Sequence, residues 1–167
     1  IKYMEKLSDI SDTPKLDTEI LLQKALGNVD RLYIQLNLDK KLNNEELVNF
    51  NKMMEDRLNG RPIAYIVNNR EFMGLDFYVE EGVLIPRPDT EPLVEEVIEL
   101  ANNRENLSIV DIGTGSGAIS VSLAKYIKGC HIYSLDISEK ALIIGKQNAV
   151  SNGVEDKIDF IKSDIFT

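Results

Sequence analysis

Cysteine, histidine and long apolar runs are scarce in this chain of 167 residues, and each scarcity excludes something. The one cysteine, Cys130, has no partner for an internal disulfide, which suits a reducing, cytoplasmic compartment. The one histidine, His131, rules out a His-rich metal site and leaves a Ser-His-Asp triad with little support. Successive strand residues point to opposite faces, so the neighbours Cys130 and His131 form no metal pair. Cys130 reads as buried packing and His131 as incidental. No stretch approaches the roughly 18 uncharged apolar residues of a membrane span. The opening residues Ile1–Lys6 have no apolar run behind their charges, so no signal peptide is read there. Basic charge is also in deficit. Residues 1–71 carry 11 basic and 12 acidic side chains, while residues 72–167 carry 8 and 16, net −1 and −8. An acidic second half repels a phosphate backbone, so no direct nucleic-acid partner is expected.

What is present falls into three stretches: a helical domain at 1–60, a linker with a β-hairpin at 61–92, and an alternating strand–helix segment at 93–167. In the first, Asp17-Thr18-Glu19 opens a helix with Ile20, Leu21, Leu22, Ala25 and Leu26 on one side, and Gly27 stops it. Asp30 caps a short helix holding Leu32, Tyr33 and Leu36. Asn44-Glu45-Glu46 starts a helix whose Leu47, Phe50, Met54 and Leu58 recur at spacings of three and four. These stripes are core, and the bundle offers no chemical motif. In the linker, Glu71–Val79 and Val83-Leu84-Ile85 flank Glu81-Gly82 and predict a hairpin. Pro86-Arg87-Pro88 breaks the second strand, and Asp89 or Thr90 caps a helix burying Leu93, Val94, Val97, Ile98 and Leu100. From Ser108 onward, strands at 109–112, 131–135 and 158–161 alternate with helices from Ala118 to Lys128 and from Ser138 to about Asn152. That order predicts a parallel sheet with helical crossovers.

The chemistry sits at the first strand-to-helix junction, Asp111-Ile112-Gly113-Thr114-Gly115-Ser116-Gly117. Glycines there let a ligand approach the backbone and permit positive φ. No Gly-Lys-Ser/Thr closes the loop, so it is not a P-loop. Asp136 ends the next strand, 23 residues after Gly113. A carboxylate there suits the ribose hydroxyls shared by NAD and S-adenosylmethionine. Asp111 separates the two: its charge opposes a pyrophosphate but favours a sulfonium and an ammonium. Asp164, beyond the third strand, suits an adenine amino group or simply caps a turn. The methyl donor is the expected ligand.

The run Asp111–Ile119 resembles class I S-adenosylmethionine-dependent methyltransferases in general. With Arg70-Glu71-Phe72, Gly60–Ile66 and Leu84-Ile85-Pro86-Arg87-Pro88-Asp89-Thr90-Glu91, the chain resembles the HemK/PrmC family from about Asp17 onward. That resemblance implies a small N-terminal helical bundle that helps recognise the substrate, a β-hairpin linker, and then the first half of a Rossmann-like methyltransferase domain. It implies methylation of the glutamine side-chain amide (N5) in the Gly-Gly-Gln loop of peptide-chain release factors. By the same resemblance, Gly113, Thr114, Gly115, Ser116 and Gly117 line the methionine part of the cofactor. Asp136 holds the ribose, Asp164 and Ile165 border the adenine, and Pro88 and Thr90 form a pocket wall. Arg87 is either part of that wall region or structural, paired with Glu91 or a nearby carboxylate. Asn68 stands where many members have Gly, and Asn tolerates the left-handed region.

One departure is larger. The family carries an Asn-Pro-Pro-Tyr motif that orients the acceptor amide, and the five prolines here, at 14, 62, 86, 88 and 92, include no Pro-Pro pair. The expectation is therefore a truncated chain with a donor site, no catalytic residues, no metal, and no activity of its own. The first strand is expected to present an open apolar edge able to self-associate. Three other readings stay open: a glutamine methyltransferase acting on a ribosomal protein, a nucleic-acid base methyltransferase, and a non-catalytic module that binds a translation partner.

Overall fold

The computed structural model describes residues 2–102, 104 and 106–165, with side chains from Glu5 onward. The chain divides into two compact units, at 1–67 and 68–167.

The first unit is all helix: α1 (Lys2–Leu7), α2 (Pro14–Ala25), α3 (Arg31–Leu36), α4 (Asn44–Leu58) and α5 (Ile63–Val67). Pro14 starts α2 three residues before the expected Asp17, because proline is pre-set for the first helical turn. Asp17 instead lies buried and binds Arg57 of α4 at 2.8 Å. Asn43 and Glu46 form a reciprocal capping box at the start of α4, and Asp30 accepts from the Tyr33 amide at the start of α3. The core is Leu7, Leu21, Phe50, Met54 and Ile66. Leu32 and Leu36 of α3 do not join it; Leu36 is 75% exposed. The helix α5, inside the expected linker, places Ile66 in this core.

The second unit opens with a hairpin, β1 (Arg70–Phe72) and β2 (Leu75–Phe77), paired antiparallel with Phe72 opposite Leu75. Its two-residue turn is Met73-Gly74, at φ 53° and 71°. Positive φ at both turn positions matches the twist of the flanking strands. The expected partner run Val83-Leu84-Ile85 is not a strand; it follows a turn and buries only Val83 fully. Asn68, at φ 54°, does occupy the left-handed region. A short 3-10 turn, Pro88–Thr90, leads into α6 (Glu91–Ala101), whose start receives no side-chain cap from Thr90. Leu93 and Leu100 of α6 face outward, and Val94 and Ala101 inward.

Strands β3 (Leu107–Ile112), β4 (Cys130–Asp136) and β5 (Ile158–Lys162) form a parallel sheet in the order β3-β4-β5. Helices α7 (Ala118–Tyr126) and α8 (Glu139–Ser151) make the crossovers, and the Ser138 hydroxyl accepts from the Ala141 amide at the start of α8. Burial alternates along the strands with period two. Ile132, Ser134 and Ile158 lie on the covered face, while Val110 and Ile112, both 57% exposed, lie on the other with Tyr133 and Ile161. Parallel sheets are ordinarily covered on both faces. Among the described residues β3 is an edge strand with one open face.

Candidate functional site

The glycine loop leaves β3 and enters α7 with Gly113, Gly115 and Gly117 at φ 77°, 57° and 78°. An L side chain is strained in that region, so the loop needs glycine three times. A Cβ on Gly113 would meet nothing within 4 Å, and one on Gly117 would come to 3.1 Å of the Gly145 Cα on α8. The loop therefore presents bare backbone outward and packs backbone-to-backbone on α8.

Its shape is set by acceptors at the two strand ends. The amides of Gly113 and Thr114 donate to the Leu135 carbonyl of β4, at 2.8 and 3.0 Å. Asp136 receives two further amides: Gly115 donates to Oδ2 and Ser138 to Oδ1, each at 2.9 Å. Below the loop, Asp111 Oδ2 accepts from the Thr114 hydroxyl at 2.9 Å and from the Ser120 hydroxyl at 2.6 Å. Ser134 of β4, fully buried, donates in turn to Ser120. Two hydroxyls thus converge on one carboxylate oxygen and a third supports one of them, which is how a charge is kept at a strand end beneath a loop.

Beside the loop is a cavity of about 130 Å³. Of the residues expected at the site, Thr90, Gly113, Thr114, Gly115 and Ser116 line it. Asp111, Gly117, Asp136, Pro88, Asp164 and Ile165 do not line it. Asp111 and Gly117 sit beneath or behind the loop; Asp136 faces Gly115 from β4, and Asp164 and Ile165 follow β5, with Ile165 at φ 76°. Phe72, Leu84, Pro86, Arg87, Ala118 and Ile119 complete the lining. No ion pair joins Arg87 to Glu91 among the described residues; Glu91 Oε1 accepts the Met73 amide instead, at 2.9 Å.

Sequence reasoning passed over Asn148, which is 1% exposed on α8. Its Oδ1 accepts from the Tyr78 amide at 2.7 Å, and its Nδ2 donates to the carbonyls of Tyr78 and Ser116 at 3.0 and 2.8 Å. The available signal was its place on the same helical face as Ala141 and Gly145. Elsewhere, burial pushes the Cys130 thiol up, and its Sγ lies 3.4 Å from the Ile127 carbonyl. His131 pairs with Asp159 at 2.9 Å on the open face of the sheet. No group of three metal-ligating side chains occurs among the described residues, and no helix is long and apolar enough to cross a membrane.

A glycine loop on a parallel sheet with acidic strand ends defines a Rossmann-like class, and residues 103–167 match the family described as a methyltransferase domain. Residues 2–67 match the PrmC N-terminal domain. The release factor glutamine methyltransferase of Chlorobaculum tepidum is 39% identical over 158 residues, covering 92% of this chain and 53% of that protein. The enzyme of the same name from Flavobacterium psychrophilum is 37% identical over 168 residues, covering 98% of this chain and 58% of that protein. Among solved structures, an RNA methyltransferase from Salinibacter ruber in complex with S-adenosyl-L-homocysteine has a TM-score of 0.42 and 28% identity, covering 49% of this chain and 52% of that one. The first unit thus matches a PrmC N-terminal domain and the second a methyltransferase domain, and the chain spans about half the length of the curated relatives it matches.

Proposed function

We propose that this chain is the donor-binding part of an S-adenosylmethionine-dependent enzyme that methylates the glutamine side-chain amide of peptide-chain release factors in the cytoplasm. The observation that carries this reading is the sequence likeness along both units, combined with a glycine loop tied to a strand-end carboxylate. The open backbone at Gly113 and the adjoining cavity fit the methionine end of the donor. When bound, S-adenosylmethionine supplies a methyl group activated by its sulfonium.

The residues divide that work by hydrogen-bonding capacity. A carboxylate offers about four lone-pair sites. Asp136 uses one on each oxygen for the Gly115 and Ser138 amides, leaving one on each for the two ribose hydroxyls. Asp111 spends Oδ2 on hydroxyls, and its Oδ1 accepts none among the described residues, so its charge is held beside the loop to favour a cationic ligand. Asp164 and Ile165, just beyond β5, border the adenine, and Thr90 with Pro88 walls the methionine end. The first unit contributes to recognising the protein substrate. An amide nitrogen is a weak nucleophile and needs orienting. These 167 residues contain no Asn-Pro-Pro-Tyr segment to do so.

Calorimetry of the chain with S-adenosylmethionine and with NAD tests the donor half. Binding of the first alone is expected, weakened about tenfold or more by Asp136→Asn; NAD binding in its place overturns the reading. A release factor offered with labelled S-adenosylmethionine tests the acceptor half. Methyl transfer by the 167 residues themselves would show that the acceptor chemistry has been misread.

A further inference from the structure

Helix α8 does not line the cavity, yet it bonds the glycine loop that does and the segment that follows the hairpin. Gly145 lets the Gly117 backbone come close. One turn on, Asn148 bonds the Ser116 carbonyl of the glycine loop and both backbone groups of Tyr78 at the exit of the hairpin. Tyr78 lies between Phe72 and Leu84 in the chain, and those two residues line the cavity together with Ser116. Asn152, a further turn along, donates to the Asp76 carbonyl at 3.2 Å. A single buried amide thus satisfies three backbone groups from segments 32 and 70 residues away.

We infer that Asn148 is a positioning residue that sets the separation of the loop and hairpin walls, and through it the affinity of the donor site. An amide is the side chain that suits this place. It must accept from an N–H and donate to two carbonyls at once, which a carboxylate cannot do and an aliphatic group cannot begin to do. The inference takes its ligand from the donor-site reading above, but its geometry stands without it.

The test uses the whole chain in three variants. Asn148→Ala loses all three bonds. Asn148→Asp keeps an acceptor for the Tyr78 amide and loses the donors to Ser116 and Tyr78. Val154→Ala, buried after α8 and away from the cavity, supplies a destabilised control. Affinity for S-adenosylhomocysteine is measured by calorimetry at a temperature where every variant is folded. Amide exchange is read by NMR at Gly117, whose N–H donates to the Thr114 carbonyl. Both Asn148 variants are expected to bind about tenfold more weakly and to exchange at Gly117 about tenfold faster, with Val154→Ala near wild type in both. Asn148 variants that match the Val154→Ala control in affinity and exchange would reduce Asn148 to ordinary stabilisation and overturn the inference. If the wild-type chain binds no S-adenosylhomocysteine, the donor reading fails, and the exchange arm alone decides the role of Asn148.

Discussion

Replacing Gly145 by alanine sets two known effects against each other. Gly145 is a buried interior residue of α8, and glycine costs a helix about 1 kcal/mol relative to alanine. Propensity alone therefore favours the substitution. The new Cβ, however, would stand 2.5 Å from Phe160 Cε1 and 3.3 Å from Cδ1 and Cζ. Carbon atoms rest at about 3.5–4.0 Å, so the ring must retreat by roughly 1 Å. Phe160 is a half-buried residue of β5, so a retreat of its ring gives up the packing of that ring on α8. Overpacking of this kind costs about 1–3 kcal/mol. The clash wins, and Gly145→Ala is expected to destabilise the second unit by about 1 kcal/mol. Hydrogen-exchange mass spectrometry on peptides from β4 and β5 measures this within that unit. Adding Phe160→Leu removes the clashing ring edge, so the double variant should lose less than the sum of the two singles. Increased protection in Gly145→Ala, or strict additivity with Phe160→Leu, would refute the reasoning.

In the first unit, Asp17→Ala leaves the half-buried Arg57 guanidinium without its carboxylate and should cost up to about 3 kcal/mol, read by urea unfolding with far-UV circular dichroism. A loss below about 1 kcal/mol would show that Arg57 finds water instead. The open edge of β3, with Val110 and Ile112 exposed, is expected to pair between copies. Light scattering should show mass above the monomer at high concentration; a monodisperse monomer with fully protected β3 amides contradicts it. The Lys140 ammonium and the Tyr78 hydroxyl both hydrogen-bond Glu80 and hold its carboxyl below the usual range. A depressed folded value means that this contribution is present above the ordinary carboxyl range and lost as pH falls through the lowered one. NMR titration should place the Glu80 midpoint below 4.5, and Lys140→Met should raise it; an unmoved midpoint assigns the shift elsewhere.

The strand–helix alternation of the second unit was legible because its strands are short apolar runs and Ser138 is a strong cap. Both signals are local. The hairpin was misplaced because its turn uses Met73 at positive φ, where asparagine or glycine is the recognisable signal. Val83-Leu84-Ile85 has strand composition, but it forms no strand: Leu84 lines the cavity and Val83 is buried. Leu93 and Leu100 read as buried because helical periodicity shows which residues share a face and not how wide the covered stripe is. The loop residues Gly113, Thr114, Gly115 and Ser116 were readable from glycine spacing, since the backbone itself requires them. Asn148 was not. A polar residue inside a helix looks like a solvated position until the segments it bonds, far off in the chain, are known.

The hydroxyls beneath the glycine loop also bear on how the sheet finds its alignment. Side-chain direction in a strand repeats every two residues, so sliding β4 by two against β3 would keep every apolar residue on its own face. Hydrophobic patterning is blind to that error. Asp111 is not, because its register partner is Ser134, whose hydroxyl donates to Ser120, which in turn donates to Asp111. A slide one way would bring Ile132 opposite the carboxylate and take from Ser120 the hydroxyl that donates to it. A slide the other way would bring Asp136 opposite, setting two negative charges face to face. The polar relay therefore acts as an index mark: it lets the parallel strands distinguish the native alignment from its two nearest counterfeits, a discrimination their oily residues cannot make.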